Sequence, residues 1–418
     1  MKKSRLYMSV AAAVVAACVA WSGPLVAAAR AAEEQVAPLP PTAESVPPER
    51  SPWSAGLEAA AIGIPDPVVS CGSTAGPVAA GGAPRGEFFA VPIPRLDPSL
   101  GAGLVGAGAY IFRLDRNDTE TPPSTLGAGA FWMDSHSWGG GLGGKLYLNG
   151  DRVRLLAGVA YADLRYDLIV APESTGREVA IPLSQEVYGG LVHAQFRVAQ
   201  GLYVGARALV GKVGTALRGE DVPEVPLSLE GEVDRVFQLN SLGPSFAFDT
   251  RDSSYYPRHG IAFDVNVDIY FGAIGSAVSY DHYEANYRHY KAARVSDVLA
   301  LQAYLCAAGG DAPFFLQCQV GPKSLLRGYS FGRYRGDAMA AAQAEYRWQM
   351  RPRWVLAVFG GLTQVGSSFG SFGLDDNLYA GGVGLRFVVE PKNGVTLRVD
   401  YGWGEGESAL YIGVGEAF

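Results

Sequence analysis

The sequence is poor in charge, histidine, cysteine and long apolar runs, and each shortage argues against a class of protein. Charged residues make up 18% of the chain. Beyond the N-terminus no apolar run reaches the ~18 residues of a membrane-spanning helix, which argues against a helical membrane protein. The formal charge is −7, and loss of Lys2, Lys3 and Arg5 with a leader would make it more negative. No basic block is left to follow a phosphate backbone, so no nucleic-acid partner is expected. The 5 histidines are scattered. His282 and Glu284 share a strand face without a supporting serine motif. His136, flanked by Ser135 and Ser137, reads as a solvated turn residue. "GGGLGGK" (Gly139 to Lys145) has no helix after it and reads as strand glycines beside a turn, not as a phosphate loop. The expectation is therefore no enzyme, no catalytic residue, no cofactor and no metal.

The 4 cysteines are Cys18, Cys71, Cys306 and Cys318. "MKKSRLYMSVAAAVVAACVAWSG" has the basic start, apolar stretch and small residues of an export signal, assigned to 1–31. Ala27-Ala28-Ala29 and Ala29-Arg30-Ala31 both offer a cleavage site. Val15-Ala16-Ala17-Cys18 also fits a lipoprotein box, and lipidation of Cys18 stays open. Export permits disulfides, and Cys306 and Cys318 lie close enough in sequence to form one. A metal site there is not expected, on the reading that no histidine shares their surroundings. Cys71 has no evident partner. Residues 32–85 are rich in Pro, Ala and Gly and read as a periplasmic linker, with a short helix at Trp53 to Gly63.

What is abundant is glycine (54), tyrosine (21) and phenylalanine (18), the composition of an all-β chain with many short strands. From residue 86 onward the apolar period is two. In "GIAFDVNVDIY", Ile261, Phe263, Val265, Val267 and Ile269 face away from Asp264, Asn266 and Asp268. "VTLRVDYGW", "AAAQAEYRW" and "VHAQFRV" alternate in the same way. The apolar faces end in Trp132, Tyr346, Trp348, Tyr401 and Trp403, and the opposite faces carry ions of both signs. Aromatic girdles outside and charge inside are the signature of a transmembrane barrel, whose strands must close so that no backbone group meets lipid unpaired. The expected strands are 87–93, 100–113, 124–133, 137–149, 152–168, 185–198, 202–214, 237–251, 260–270, 277–290, 295–306, 338–349, 354–365, 378–389, 394–403 and 409–418, sixteen in all. The barrel domain is 86–418, and Phe418 closes the last strand as an outer-membrane insertion signal, with Glu416 interrupting its apolar series.

Between the strands ending near Cys306 and starting near Ala338 runs a connection far longer than a hairpin turn. It contains "SLLRGYSFGRYRG", with Arg327, Arg333 and Arg335 among Leu325, Leu326, Tyr329, Phe331 and Tyr334. Burial of those apolar groups takes Arg327 along, and a buried guanidinium needs a carboxylate. The loop is expected to fold into the lumen and pin Arg327 to the inner wall.

Leu326-Arg327-Gly328-Tyr329 resembles the tip of the sixth extracellular loop in BamA/TamA-type outer-membrane assembly barrels, relatives of the two-partner secretion transporters. "FDTRDSSYYPRHG" is similar to the family's strand and turn, through Asp249, Arg251, Asp252, Pro257 and Gly260. "AMAAAQAEYRW" resembles the strand after the loop, and "YIGVGEAF" the closing strand. The resemblance is best from Leu239 to Phe418. It implies that Glu345 is a wall partner of Arg327. A second family acid belongs where Gly361 stands, and Thr363 occupies the family's glycine position; Asp337 and Asp400 are the candidates to substitute. The family's periplasmic POTRA domains do not fit in 32–85, which resembles the POTRA-less branch. The resemblance implies assistance to protein insertion or translocation, with outer-membrane lipid, lipopolysaccharide and client outer-membrane proteins as partners of a monomer. A solute channel and a structural surface antigen are the alternatives.

Overall fold

The computed structural model describes residues 86–418, except 98, 115–120, 171–178, 220–228, 230, 254–255, 295, 311, 322–325, 330–331, 374 and 391–394. The leader, the linker, the Trp53 to Gly63 helix, Cys18 and Cys71 lie outside the described residues. The strands are β1 (Gly86–Asp97), β2 (Gly101–Phe112), β3 (Ser124–Met133), β4 (Trp138–Leu148), β5 (Val153–Val170), β6 (Val179–Ala199), β7 (Leu202–Leu217), β8 (Arg235–Asp249), β9 (Gly260–Tyr270), β10 (Tyr280–Ala292), β11 (Val298–Gly310), β12 (Cys318–Gln319), β13 (Arg335–Gly336), β14 (Ala338–Arg351), β15 (Trp354–Gly366), β16 (Leu378–Glu390), β17 (Val395–Trp403) and β18 (Ser408–Val414).

All but β12 and β13 form one 16-stranded sheet in chain order. Neighbours are antiparallel throughout. The sheet curls until Cα atoms of β1 and β18 come within 8 Å, yet among the described residues no ladder joins these two edges. Alternation aims the side chains: Val358, Leu362, Val383, Leu397 and Val399 are exposed on the outer face, whereas Gln343, Glu345, Arg347, Arg386 and Asp400 are buried on the inner one. Trp132, Trp138, Trp348, Trp354, Tyr401 and Trp403 are exposed near the strand ends, where interfacial girdles belong.

One rim carries the tight turns 149–152, 200–201, 293–297 and 352–353, with 113–123 and 250–259 as longer exceptions. The other rim carries 218–234, 271–279, 311–337 and 367–377. Long connections mark the extracellular side of such barrels. There β5 and β6, of 18 and 21 residues, rise highest. Their inward Leu164, Tyr166, Leu168, Ile181 and Leu183 pack with Phe314, Phe315 and Leu316 of the 311–337 loop and with Leu229. Phe314 N donates to the Glu232 carboxylate at 2.8 Å. An apolar dome thus roofs the lumen.

Two strand expectations need correction. β1 is not short: it has 12 residues and pairs with β2 along its whole length. It tolerates Pro92 and Pro94 because it is an edge strand. The last strand stops at Val414. Gly415 has φ +78, a left-handed turn open to glycine, and its N–H donates to Thr396 O at 2.8 Å. The chain then bends into the lumen, and Phe418 is buried against Tyr290, Val298 and Ala300 rather than facing lipid.

Candidate functional site

Four neighbouring strands build a charged inner wall. β14 supplies Glu345 and Arg347, β15 supplies Phe359, β16 supplies Arg386, and β17 supplies Arg398 and Asp400. Residues two apart on one strand share a face, so Glu345-x-Arg347 and Arg398-x-Asp400 each point a cation and an anion inward. Register sets Arg386 directly opposite Arg398 and Gly384 opposite Asp400. Facing guanidinium groups repel, and the acids between them hold the arrangement. Arg386 Nη2 lies 3.2 Å from Glu345 Oε2, and its Nη1 pairs with Asp400. Arg347 Nε donates to Glu345 Oε1 at 2.8 Å. Glu416, on the inturned tail, adds pairs to Arg347 at 3.2 Å and Arg386 at 3.3 Å.

The loop delivers Arg327 into this wall. Its Nη1 lies 2.5 Å from Asp400 Oδ2 and its Nη2 2.7 Å from Glu345 Oε2. The guanidinium carbon sits 3.4 Å over the Phe359 ring. A flat fork that bridges two carboxylates and stacks on an aromatic is chemistry that arginine performs and lysine does not. Leu326, at φ +46, is a strained non-glycine residue held in place by this docking. Gly328 N–H donates to the Tyr411 hydroxyl at 2.9 Å, so the tip also touches β18. The Tyr329 hydroxyl donates to Tyr379 O at 2.7 Å and accepts from Glu405 N–H at 3.2 Å.

Glycines make room for the tip. A Cβ on Gly402 would lie 2.4 Å from the Arg327 carbonyl oxygen, and one on Gly384 would lie 1.8 Å from Asp400 Oδ1. Gly402→Val is therefore expected to push the loop off the wall at a cost of about 1–3 kcal/mol. Protease cleavage within 311–337 should accelerate while the barrel stays folded in gels. Unchanged cleavage would contradict so close an approach.

Of the residues singled out from sequence, Leu326, Arg327, Gly328 and Tyr329 gather with Glu345 at the wall. Arg333 pairs instead with Glu407 in the β17–β18 turn. Arg335 meets no carboxylate among the described residues: its Nη1 donates to Gly332 O at 2.9 Å and Ile169 O at 3.3 Å. Asp337 accepts from Gln317 Nε2 at 3.1 Å, and Asp400 is the second acid at Arg327. An aspartate at 361 has no space, since a Cβ there would lie 2.6 Å from Ala342 O and 2.7 Å from Gln343 Cβ. Asp249, Arg251, Asp252, Pro257 and Gly260 lie at the opposite rim. Asp249 accepts from Arg251 Nε at 3.0 Å and Nη2 at 2.9 Å, and Asp252 accepts from Arg258 N–H at 3.0 Å, which makes this motif a staple of the 250–259 turn. Cys306 and Cys318 form a disulfide. The reading that no histidine shares their surroundings was wrong: the β10–β11 ladder brings His282 Nε2 to 3.4 Å from Cys306 Sγ. Arg347, Arg386 and Glu416 were not recognised as site residues. Glu345-x-Arg347 on one inward face was the available signal for Arg347, whereas Arg386, with Gly384 and Val388 two residues away, offered only its own charge. Glu416 had no signal, because it enters the lumen through a bend.

The family model described as Omp85 superfamily domain matches residues 153–418. A comparison with curated proteins finds no match. Among solved structures, the chain is similar to BamA from Haemophilus ducreyi lacking POTRA domains 1–3, with TM-score 0.53 and 15% identity over 79% of this chain and 70% of that one. It is also similar to CdiB from Acinetobacter baumannii, with TM-score 0.51 and 12% identity over 78% of this chain and 59% of that one.

Proposed function

Because the chain belongs to the Omp85 superfamily, we propose that it assists insertion or translocation of client proteins at the seam between β1 and β18, as a monomer in a bacterial outer membrane containing lipopolysaccharide. The observation that carries this reading is the composition of the β1 edge. Pro92 and Pro94 lack N–H groups, and residues two apart direct their N–H groups to the same side. β1 pairs with β2 in unbroken register from Gly86↔Phe112 to Asp97↔Gly101, and proline in a sheet is confined to the side of an edge strand that faces away from its partner, which assigns the missing donors to the seam side. A zipped β1–β18 ladder is thereby disfavoured, and both edges keep unpaired groups able to template an incoming strand.

Strand length supports the same reading. β18 has 7 residues, which at about 3.4 Å each span roughly 24 Å before any tilt, below the ~25 Å apolar band of such barrels once a tilt of ~40° is applied. The bilayer beside the seam has to thin, which lowers the barrier for a polar backbone to enter it. The docked loop and the apolar dome fill and roof the lumen, which argues against a solute channel. No catalytic step belongs to this reading.

The test is the folding rate of a small client barrel in liposomes with and without this protein. The wild type is expected to accelerate folding, and Pro92→Ala/Pro94→Ala, which restores two seam donors, to lose about tenfold of that gain. No acceleration by the wild type would sink the insertion reading. An equal gain by the double variant would remove the seam as its cause.

A further inference from the structure

The root of the long loop gathers three soft donors from three strands. Cross-strand pairs Glu284↔Cys306 and His282↔Ala308 make His282 and Cys306 diagonal neighbours on one face of the β10–β11 ladder. β12 brings Cys318 to Cys306. His282 Nε2, Cys306 Sγ and Cys318 Sγ all lie within 4.8 Å of one another. Both cysteines are buried in an apolar cluster with Tyr304, Val320, Leu326, Tyr329 and Met339.

We propose that, in its dithiol form, this cluster is a binding site for a zinc-class divalent cation. A dithiol reductant supplies two electrons and two protons, the Cys306–Cys318 bond breaks into two thiols, and the reductant leaves as its own disulfide. The cation then displaces both thiol protons. Zinc binds thiolate sulfur at about 2.3 Å and imidazole nitrogen at about 2.0–2.1 Å, so tetrahedral ligands sit roughly 3.5–3.8 Å apart. The separation of 3.4 Å between His282 Nε2 and Cys306 Sγ is close to that spacing, and Cys318 Sγ, within 4.8 Å of both, has to part from Cys306 Sγ to take its place. Charge supports the assignment as well. Two thiolates alone are costly in an apolar cluster, whereas two thiolates, one neutral imidazole and one dication sum to zero. The fourth position is left to water. The loop root would then stay tied to β11 in both states, by a covalent bond when oxidised and by the cation when reduced.

The experiment uses the full barrel with Cys18 and Cys71 changed to serine, refolded in detergent under a phosphine reductant and titrated with Co²⁺. A thiolate-to-cobalt band saturating at one equivalent, absent from the oxidised protein and displaced by Zn²⁺, is expected. His282→Ala should weaken binding by at least about tenfold, since even outer-shell partners of a metal cost 10–100-fold. Cys318→Ser should remove the two-thiolate band. As a second measurement that avoids refolding, the oxidised barrel is reduced in micelles and labelled with a maleimide, and Zn²⁺ is expected to slow labelling at least tenfold. Absence of the band at one equivalent, a His282→Ala titration like the wild type, or labelling indifferent to Zn²⁺ would each overturn the proposal.

Discussion

Glu345→Gln is expected to lower barrel stability by about 3–5 kcal/mol, the usual cost of leaving buried charge uncompensated. Glu345 is fully buried and bonded to Arg327, Arg347 and Arg386 together. On the described wall, Arg327, Arg347, Arg386 and Arg398 face only three side-chain carboxylates, Glu345, Asp400 and Glu416. Glutamine keeps the volume and removes one of the three negative charges, leaving cation against cation in a dry site. The measurement is the temperature at which the folded band is lost in gels. Adding Arg386→Gln should recover part of the loss, because it removes a cation from the same cluster, and the non-additivity reports the coupling. A single variant that melts with the wild type would show that water screens this wall and that the network contributes little.

Arg327→Ala is expected to release the loop without dismantling the barrel. The residue is buried, bridges Asp400 and Glu345, and stacks on Phe359. Its loss, at about 3–5 kcal/mol, raises the open fraction of the loop by roughly 100- to 1,000-fold or more. Protease cleavage within 311–337 follows that fraction when closing is fast. Glu345 keeps Arg347 and Arg386, so the wall itself should hold. Arg327→Lys should behave more like alanine than like the wild type, because an ammonium spans neither both acids nor the ring face. Intact loops after prolonged protease exposure of Arg327→Ala would mean that Arg333, Tyr329 and the disulfide hold the loop unaided.

The strand rhythm was legible because the two faces of each strand meet different solvents. In "VTLRVDYGW", Leu397, Val399 and Tyr401 face lipid while Arg398 and Asp400 face the lumen, and nothing but alternation is needed to see it. Which inward groups touch was less legible. Asp337 and Asp400 were equal candidates in sequence, and Asp400 prevails because the register with β16 and the curl of the sheet carry it under the loop tip. Gly361 looked like a missing acid, whereas it is a position packed too tightly against Gln343 to hold one. His282 was hidden from Cys306 because a ladder contact joins residues 24 apart. The inturned tail depends on one backbone angle at Gly415, which no side-chain pattern announces.

The meander topology also orders events in time. Every ladder of the main sheet joins strands that are consecutive in it, and all but one of the connections between them are short or moderate, so the sheet can grow hairpin by hairpin at small loop-closure cost. The Arg327–Asp400 pair bridges 73 residues and needs β14 to β17 already in place. Docking of the loop is therefore a late event, and the species that precedes it has a formed wall, a vacant lumen and two acids, Glu345 and Asp400, still awaiting their shared cation. The locking of the interior thus depends on a wall that four separate strands have to build.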